Sequence, residues 1–153
     1  MITTDFEASY SYKHGQYQRC LELSTQNTRT LIGHSAPCLS RVFLYPEFTQ
    51  WMDDDIVSVL ALTLILDPRR KDNPACVSVG QLSLSVYLMV KCQMQLHHSV
   101  TSLAQSLDYI QVARHRHHEL LRHNPGCRPQ LQESLDLLIL TLAERIVLKC
   151  ICH

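Results

Sequence analysis

Apolar positions along this chain recur at three- and four-residue intervals rather than alternately, in six stretches separated by polar connections that carry the Gly and Pro residues. That spacing places them on one side of an α-helix. A first helix is predicted from about Asp5 to His14 and a second from Gln16 to about Ile32, where Tyr17, Cys20, Leu21, Ser24, Thr28 and Leu31 form one stripe. The third contains "IVSVLALTLIL" (56–66) and is apolar almost all round, so it is expected to be the central helix of the core. Asp53 or Asp54 can cap it, Asp55 suits the positive end of its dipole, and Pro68 forces a stop. Ser78 is expected to cap a fourth helix reaching about Leu96, with Leu82, Val86, Met89, Val90 and Gln93 on one side. Ser99 opens a fifth that runs to about Arg122, with Val100, Leu103, Leu107, Ile110 and Leu121 inward. The sixth runs from about Pro129 to Cys150, and Leu131, Leu135, Leu138, Leu142, Ile146 and Lys149 repeat along it.

The expected fold is therefore all-α: six helices in antiparallel pairs, as an α-solenoid fragment or a compact helical bundle. One domain spanning 1–153 accommodates it, with a loop over 33–52 and a linker over 67–77. Residues 33–52 hold two of the three Phe and the single Trp around Pro46; an apolar loop packed on the helices is expected, with a strand as the alternative. The apolar run 56–66 is about half the length that spans a bilayer and is bracketed by charge, so no membrane association is expected.

Composition narrows the function classes. Lys plus Arg equals Asp plus Glu, so the net charge of zero gives no general attraction to nucleic acid, and none is expected as a partner. Seven cysteines, an odd number, behind an N-terminus with no basic and apolar leader suggest reduced thiols in a cytoplasmic protein. The start inside a helix and the apolar ending "VLKCICH" suggest part of a larger protein, and an unpaired helix edge would favour self-association.

The stretch "GQYQRCLEL" carries the most specific local pattern: Gly15 ends one helix, Tyr17 follows two residues later, and Cys20 and Leu21 sit where close helix contact requires a small residue. Residues 8–31 resemble a tetratricopeptide repeat on these positions, and 82–110 is a weaker echo of the same helix-turn-helix. Departures are Asn27, where the family prefers a small apolar residue, Ser11, where it prefers an aromatic, and the lack of a closing Pro. The chain also resembles, more distantly, the helical tails that follow nucleotidyltransferase domains in some invertebrate proteins; the catalytic Gly-Ser motif with paired acids is missing from it. The repeat resemblance implies a non-catalytic scaffold that binds a protein or peptide partner in a groove. Tyr10, Tyr12 and Tyr17, or the aromatic segment Phe43, Tyr45, Phe48 and Trp51, would supply the anchors.

Other chemistry is sparse. In "HRHHELLRHNPGC" (115–127), His115 with His118 or Glu119 has helical ligand spacing, and Cys127 could approach after the turn. Arg114, Arg116 and Arg122 lie among them and would repel a cation, so a solvated basic helix end is the preferred reading and no metal or other cofactor is expected. The alternative is a nucleic-acid- or metal-linked module using 114–127. The tail Cys150, Cys152 and His153 lacks a second ligand pair, the four glycines are scattered, and "GHSAPC" has no strand-turn-helix context, so no enzyme is expected.

Overall fold

The computed structural model describes residues 2–33, 41–43, 46–66, 78–123 and 131–152. The fold is all-α, with one minimal strand pair added. In chain order the elements are α1 (Ile2–Lys13), α2 (Tyr17–Gly33), β1 (Arg41–Phe43), the single turn α3 (Pro46–Thr49), α4 (Asp54–Leu66), β2 (Ser78–Gly80), α5 (Gln81–Gln95), α6 (Val100–His123) and α7 (Leu131–Ile151). The six long helices fall within a few residues of the predicted stretches. The segment expected to be a loop contributes β1 and α3, with β1 antiparallel to β2 in the register Arg41↔Gly80, Val42↔Val79, Phe43↔Ser78. Buried Val42 and Val79 are opposite one another there, which gives this short pair an apolar inner face.

The core is centred on α5, a correction to the expectation that the third helix would be central. Eleven consecutive-to-near positions of α5, from Gln81 to Cys92, are buried, and α1, α2, α6 and α7 all pack on it. The apolar helix α4 is peripheral. It buries Ile56, Leu60 and Thr63 and packs on α7, while Leu62, Ile65 and Leu66 are 59%, 65% and 74% exposed. Hydropathy misidentified the centre because α5 carries Ser83, Ser85, Gln81 and Lys91 inside, and each lowers its apparent apolarity.

Successive helices of the set α1, α2, α5, α6 and α7 pack each on the next, with α5 also touching α1 and α7. The interface between α2 and α5 is the most extensive. The predicted α2 stripe faces it: Cys20, Leu21, Ser24 and Thr28 are buried. Ser24 and Thr28 hydroxyls satisfy themselves by donating to the carbonyls of Cys20 (2.6 Å) and Ser24 (2.8 Å), one turn back.

Two other faces differ from the prediction. On α7 the inward stripe is Leu135, Ile139, Leu140, Ala143 and Val147, while Leu138 is 47% exposed and Lys149 faces solvent. Contacts with α4, α5 and α6 on several sides turn the helix so that its small and β-branched positions are inside. Val100 in the first turn of α6 is 54% exposed, whereas Leu103 and Ile110 are buried; the side chains of Leu121 and Leu131 lie outside the described residues. Capping follows the prediction at α4, where the Asp53 carboxylate accepts from the Asp55 N–H at 3.2 Å, and at α6, where Ser99 Oγ accepts from the Ser102 N–H at 3.3 Å. At α5 the cap is Gly80, not Ser78, which belongs to β2.

Candidate interaction surface

α1 is amphipathic in an inverted sense. Its buried side holds Asp5, Ala8, Ser9 and Ser11, all small or polar, while Phe6 and Tyr10 are 36% and 37% exposed. Small side chains let α1 lie close to α2 and α5. The same choice directs Phe6, Tyr10 and His14, one turn apart along the helix, away from the core.

There they meet α3 and the residues just after it. Phe6 packs on Phe48 with centroids 5.1 Å apart, and Tyr10 packs on Trp51 at 5.1 Å. The His14 ring stacks on Tyr10 at 4.0 Å and lies 5.7 Å from Trp51, with Nδ1 2.9 Å from the Tyr10 carbonyl. The result is a continuous, half-exposed aromatic surface built from two segments 34 or more residues apart in sequence, Phe6–His14 and Phe48–Trp51. Stacked and tilted rings of this kind hold one another in place, so little side-chain entropy is left to lose when a partner covers them.

Of the seven predicted anchors, the structure brings Tyr10, Phe48 and Trp51 into this surface. Tyr12 and Tyr17 contact each other at 5.4 Å elsewhere on the hairpin, and Tyr12 is engaged with the Lys91 ammonium, 5.9 Å from its ring. The side chains of Phe43 and Tyr45 lie outside the described residues. Phe6 and His14 were missed. Their spacing to Tyr10 (i, i+4, i+8) is the signal in the sequence that could have found them.

Beneath the aromatic surface lies a buried polar node. The Tyr87 hydroxyl donates to Asp53 Oδ2 at 2.5 Å, and the Lys91 ammonium donates to Asp55 Oδ2 at 2.9 Å and lies 3.8 Å from Asp53 Oδ1. Burial and the Asp53 carboxylate push the Tyr87 hydroxyl far up, so it stays protonated as a donor. Tyr12 is pushed up to about 12, by burial first and then by the Asp53 charge. Burial works against the Lys91 ammonium, but the hydrogen bond to Asp55 and the nearby Asp53 charge outweigh it and hold its pKa above the ordinary value. Exposed Asp54 pairs with Lys13 at 2.6 Å, fastening the end of α1 to the start of α4. The node is a clamp that positions Trp51 and Met52 at the head of α4.

Two more buried carboxylates tie helices together. Asp136 of α7 accepts from the Gly80 N–H at 2.8 Å and lies 3.7 Å from the His117 ring, joining α6, α7 and the start of α5. Asp5 accepts from Gln81 Nε2 at 2.7 Å and from Asn27 Nδ2 at 3.2 Å. Asn27 thus answers a buried acid on the facing helix. None of these roles was read from the sequence, since a single Asp or Asn in a helical stripe carries no local signal of its partner.

The histidine-rich segment is arranged differently from a ligand cage. His115 pairs with Glu119 at 3.2 Å on an exposed face, His118 contacts the His117 ring edge-on at 6.2 Å, and Cys127 lies outside the described residues. Among the described residues no three His, Cys, Asp or Glu side chains converge. The reading of this helix end as simply solvated is also corrected. Arg114 donates to Glu144 at 2.6 Å and to Thr141 at 3.3 Å, and Arg116 donates to the Leu31 and Ile32 carbonyls, capping the C-terminal end of α2. His115, His118 and Arg122 remain exposed. Among the described residues no helix is long and apolar enough to cross a membrane.

No family model, curated protein or solved structure matches this chain.

Proposed function

We propose that the protein is a non-catalytic helical-repeat interaction module whose aromatic surface on α1 and α3 receives a protein or peptide partner. One observation carries the reading: Phe6, Tyr10, His14, Phe48 and Trp51 form a contiguous, half-exposed patch of rings in mutual contact. Tyr and Trp are the side chains that dominate binding energy at protein interfaces, because they bury much apolar area for few rotatable bonds.

A repeat-like origin has support in the two hairpin corners. After α1, the Gly15 N–H bonds the Tyr12 carbonyl at 3.0 Å and the Gln16 N–H bonds the Ser11 carbonyl at 2.8 Å. After α5, the His97 N–H bonds the Met94 carbonyl at 3.1 Å and the His98 N–H bonds the Gln93 carbonyl at 3.0 Å. Both are the same paired helix-terminating motif, with Gly15 at φ +74° and His97 at φ +53° in the left-handed position. The predicted repeat at 8–31 and its echo at 82–110 thus turn by one device, and the α1–α2 and α5–α6 hairpins stack through α2 and α5.

The test is selection of helical peptides from a displayed library against the reduced protein, followed by affinity measurement with and without chelator and across salt. The proposal expects peptides whose binding ignores chelator and depends weakly on salt, and which lose about tenfold or more in affinity to Trp51→Ala. Binders that need zinc, or whose affinity falls steeply with salt and with loss of Arg122, would move the function to the 114–127 segment.

A further inference from the structure

Asp5 is 2% exposed and sits where α1 meets α2 and α5. Among the described residues its hydrogen-bond partners are neutral: the Gln81 amide at 2.7 Å and the Asn27 amide at 3.2 Å. The other buried acids are treated otherwise, Asp53 with Lys91 and the Tyr87 hydroxyl, Asp136 with the Gly80 N–H and the His117 ring. The cations on the elements around α1 are engaged elsewhere. Arg19 of α2 pairs with Glu7, Lys91 of α5 with Asp53 and Asp55, and Lys13 of α1 itself with Asp54 of α4. Glu22 and Arg29 lie on the exposed side of α2, and His14 is exposed in the aromatic surface. Burial therefore raises the Asp5 carboxyl from 3.8 to about 6, against weaker downward pulls from Gln81, the α-amino group and Asn27.

α1 is held with few large apolar side chains. Its buried side offers Ala8 and polar groups in place of large aliphatics, and the buried Ser9 hydroxyl has no hydrogen-bond partner among the described residues. A cost at Asp5 is thus a large share of what fastens α1.

We propose that Asp5, Asn27 and Gln81 form a proton-operated latch: the protonated carboxyl fastens α1 against α2 and α5, and its ionisation loosens that helix. Both amides can turn to accept the new O–H while the remaining carboxyl oxygen still accepts an N–H. Because the docked helix holds the proton more tightly than the released one, docking is strongest below about pH 4, weakens up to about 6 and is constant above. Release of α1 separates Phe6, Tyr10 and His14 from Phe48 and Trp51, which links acidity to the aromatic surface. That consequence rests on the proposed interaction function; the latch does not.

Hydrogen exchange of the full chain, followed by mass spectrometry without any partner from pH 4 to 7.5, tests it. After correction for intrinsic exchange, the opening constant of the α1 peptide is expected to rise by up to about tenfold per pH unit between about 4 and 6 and then level off. In Asp5→Asn it is expected to be flat, with His14 and every other titrating group unchanged as an internal control. Asn27→Ala, which keeps the acid and removes one donor, moves the upper end of the rise to higher pH. A wild-type opening constant indifferent to pH, or a pH dependence that survives in Asp5→Asn, overturns the latch. If Asp5→Asn does not fold, an unmoved profile in Asn27→Ala does so.

Discussion

His97 occupies the left-handed conformation that Gly15 occupies at the other hairpin corner, and there a β-carbon is strained. His97→Gly is therefore expected to raise stability by about 0.5–1 kcal/mol, and Gly15→Ala to lower it by about 1 kcal/mol, both read from urea unfolding midpoints at unchanged slope. Tyr87 presents the opposite case of a side chain that cannot be trimmed. Tyr87→Phe leaves the buried Asp53 oxygen without its 2.5 Å donor and is expected to cost about 1–3 kcal/mol in the same measurement. At this scale the sequence was legible mainly where the chemistry is local, although the cap expected at Ser78 falls at Gly80 instead. Gly15, the Asp53 cap and the Ser99 cap all act on amides within a few residues of themselves. Asp5, Asp136 and Lys91 act on residues 19 to 76 positions away, and nothing near them announces it.

At the scale of elements, the existence and type of the long helices were readable and their rank was not. The spacing of apolar residues located all six long helices, because each buries at least one stripe. It could not say which helix the others surround, because that depends on buried area, and α5 buries serines, a glutamine and a lysine that hydropathy counts as surface. The expected consequence is a large asymmetry between two leucines. Leu84→Ala, in fully buried α5, should cost about 2–5 kcal/mol, whereas Leu62→Ala, 59% exposed on α4, should stay within about 0.5 kcal/mol in equilibrium unfolding. Similar losses at the two positions would mean that α4 is covered and that the order of packing given above is wrong. The inverted character of α1 belongs here too. A helix with aromatics at i, i+4 and i+8 ordinarily turns that stripe inward, and only the small polar face of α1 against α2 and α5 turns it outward.

For the molecule as a whole, helix order and the positions of exposed aromatic side chains fit together. α1, α2, α5, α6 and α7 stack in succession, and the segment from β1 to α4 leaves that stack to bring Phe48 and Trp51 against α1. The Asp53–Tyr87–Lys91 clamp anchors that excursion to the central helix, so the aromatic surface is fixed to the most buried part of the fold. Arg114 and Arg116, by contrast, bind α7 and α2 internally, which leaves the basic end of α6 with less free charge than its sequence suggests. The central claim is that binding runs through the aromatic surface. The most direct measurement is the dissociation constant, by calorimetry, of one selected peptide for wild type, for Tyr10→Ala with Trp51→Ala, and for His115→Ala with His118→Ala and Arg122→Ala. The account predicts a loss of about a hundredfold or more in the aromatic variant and no more than about twofold in the basic one, with both variants folded by circular dichroism. Equal binding by wild type and the aromatic variant would contradict it.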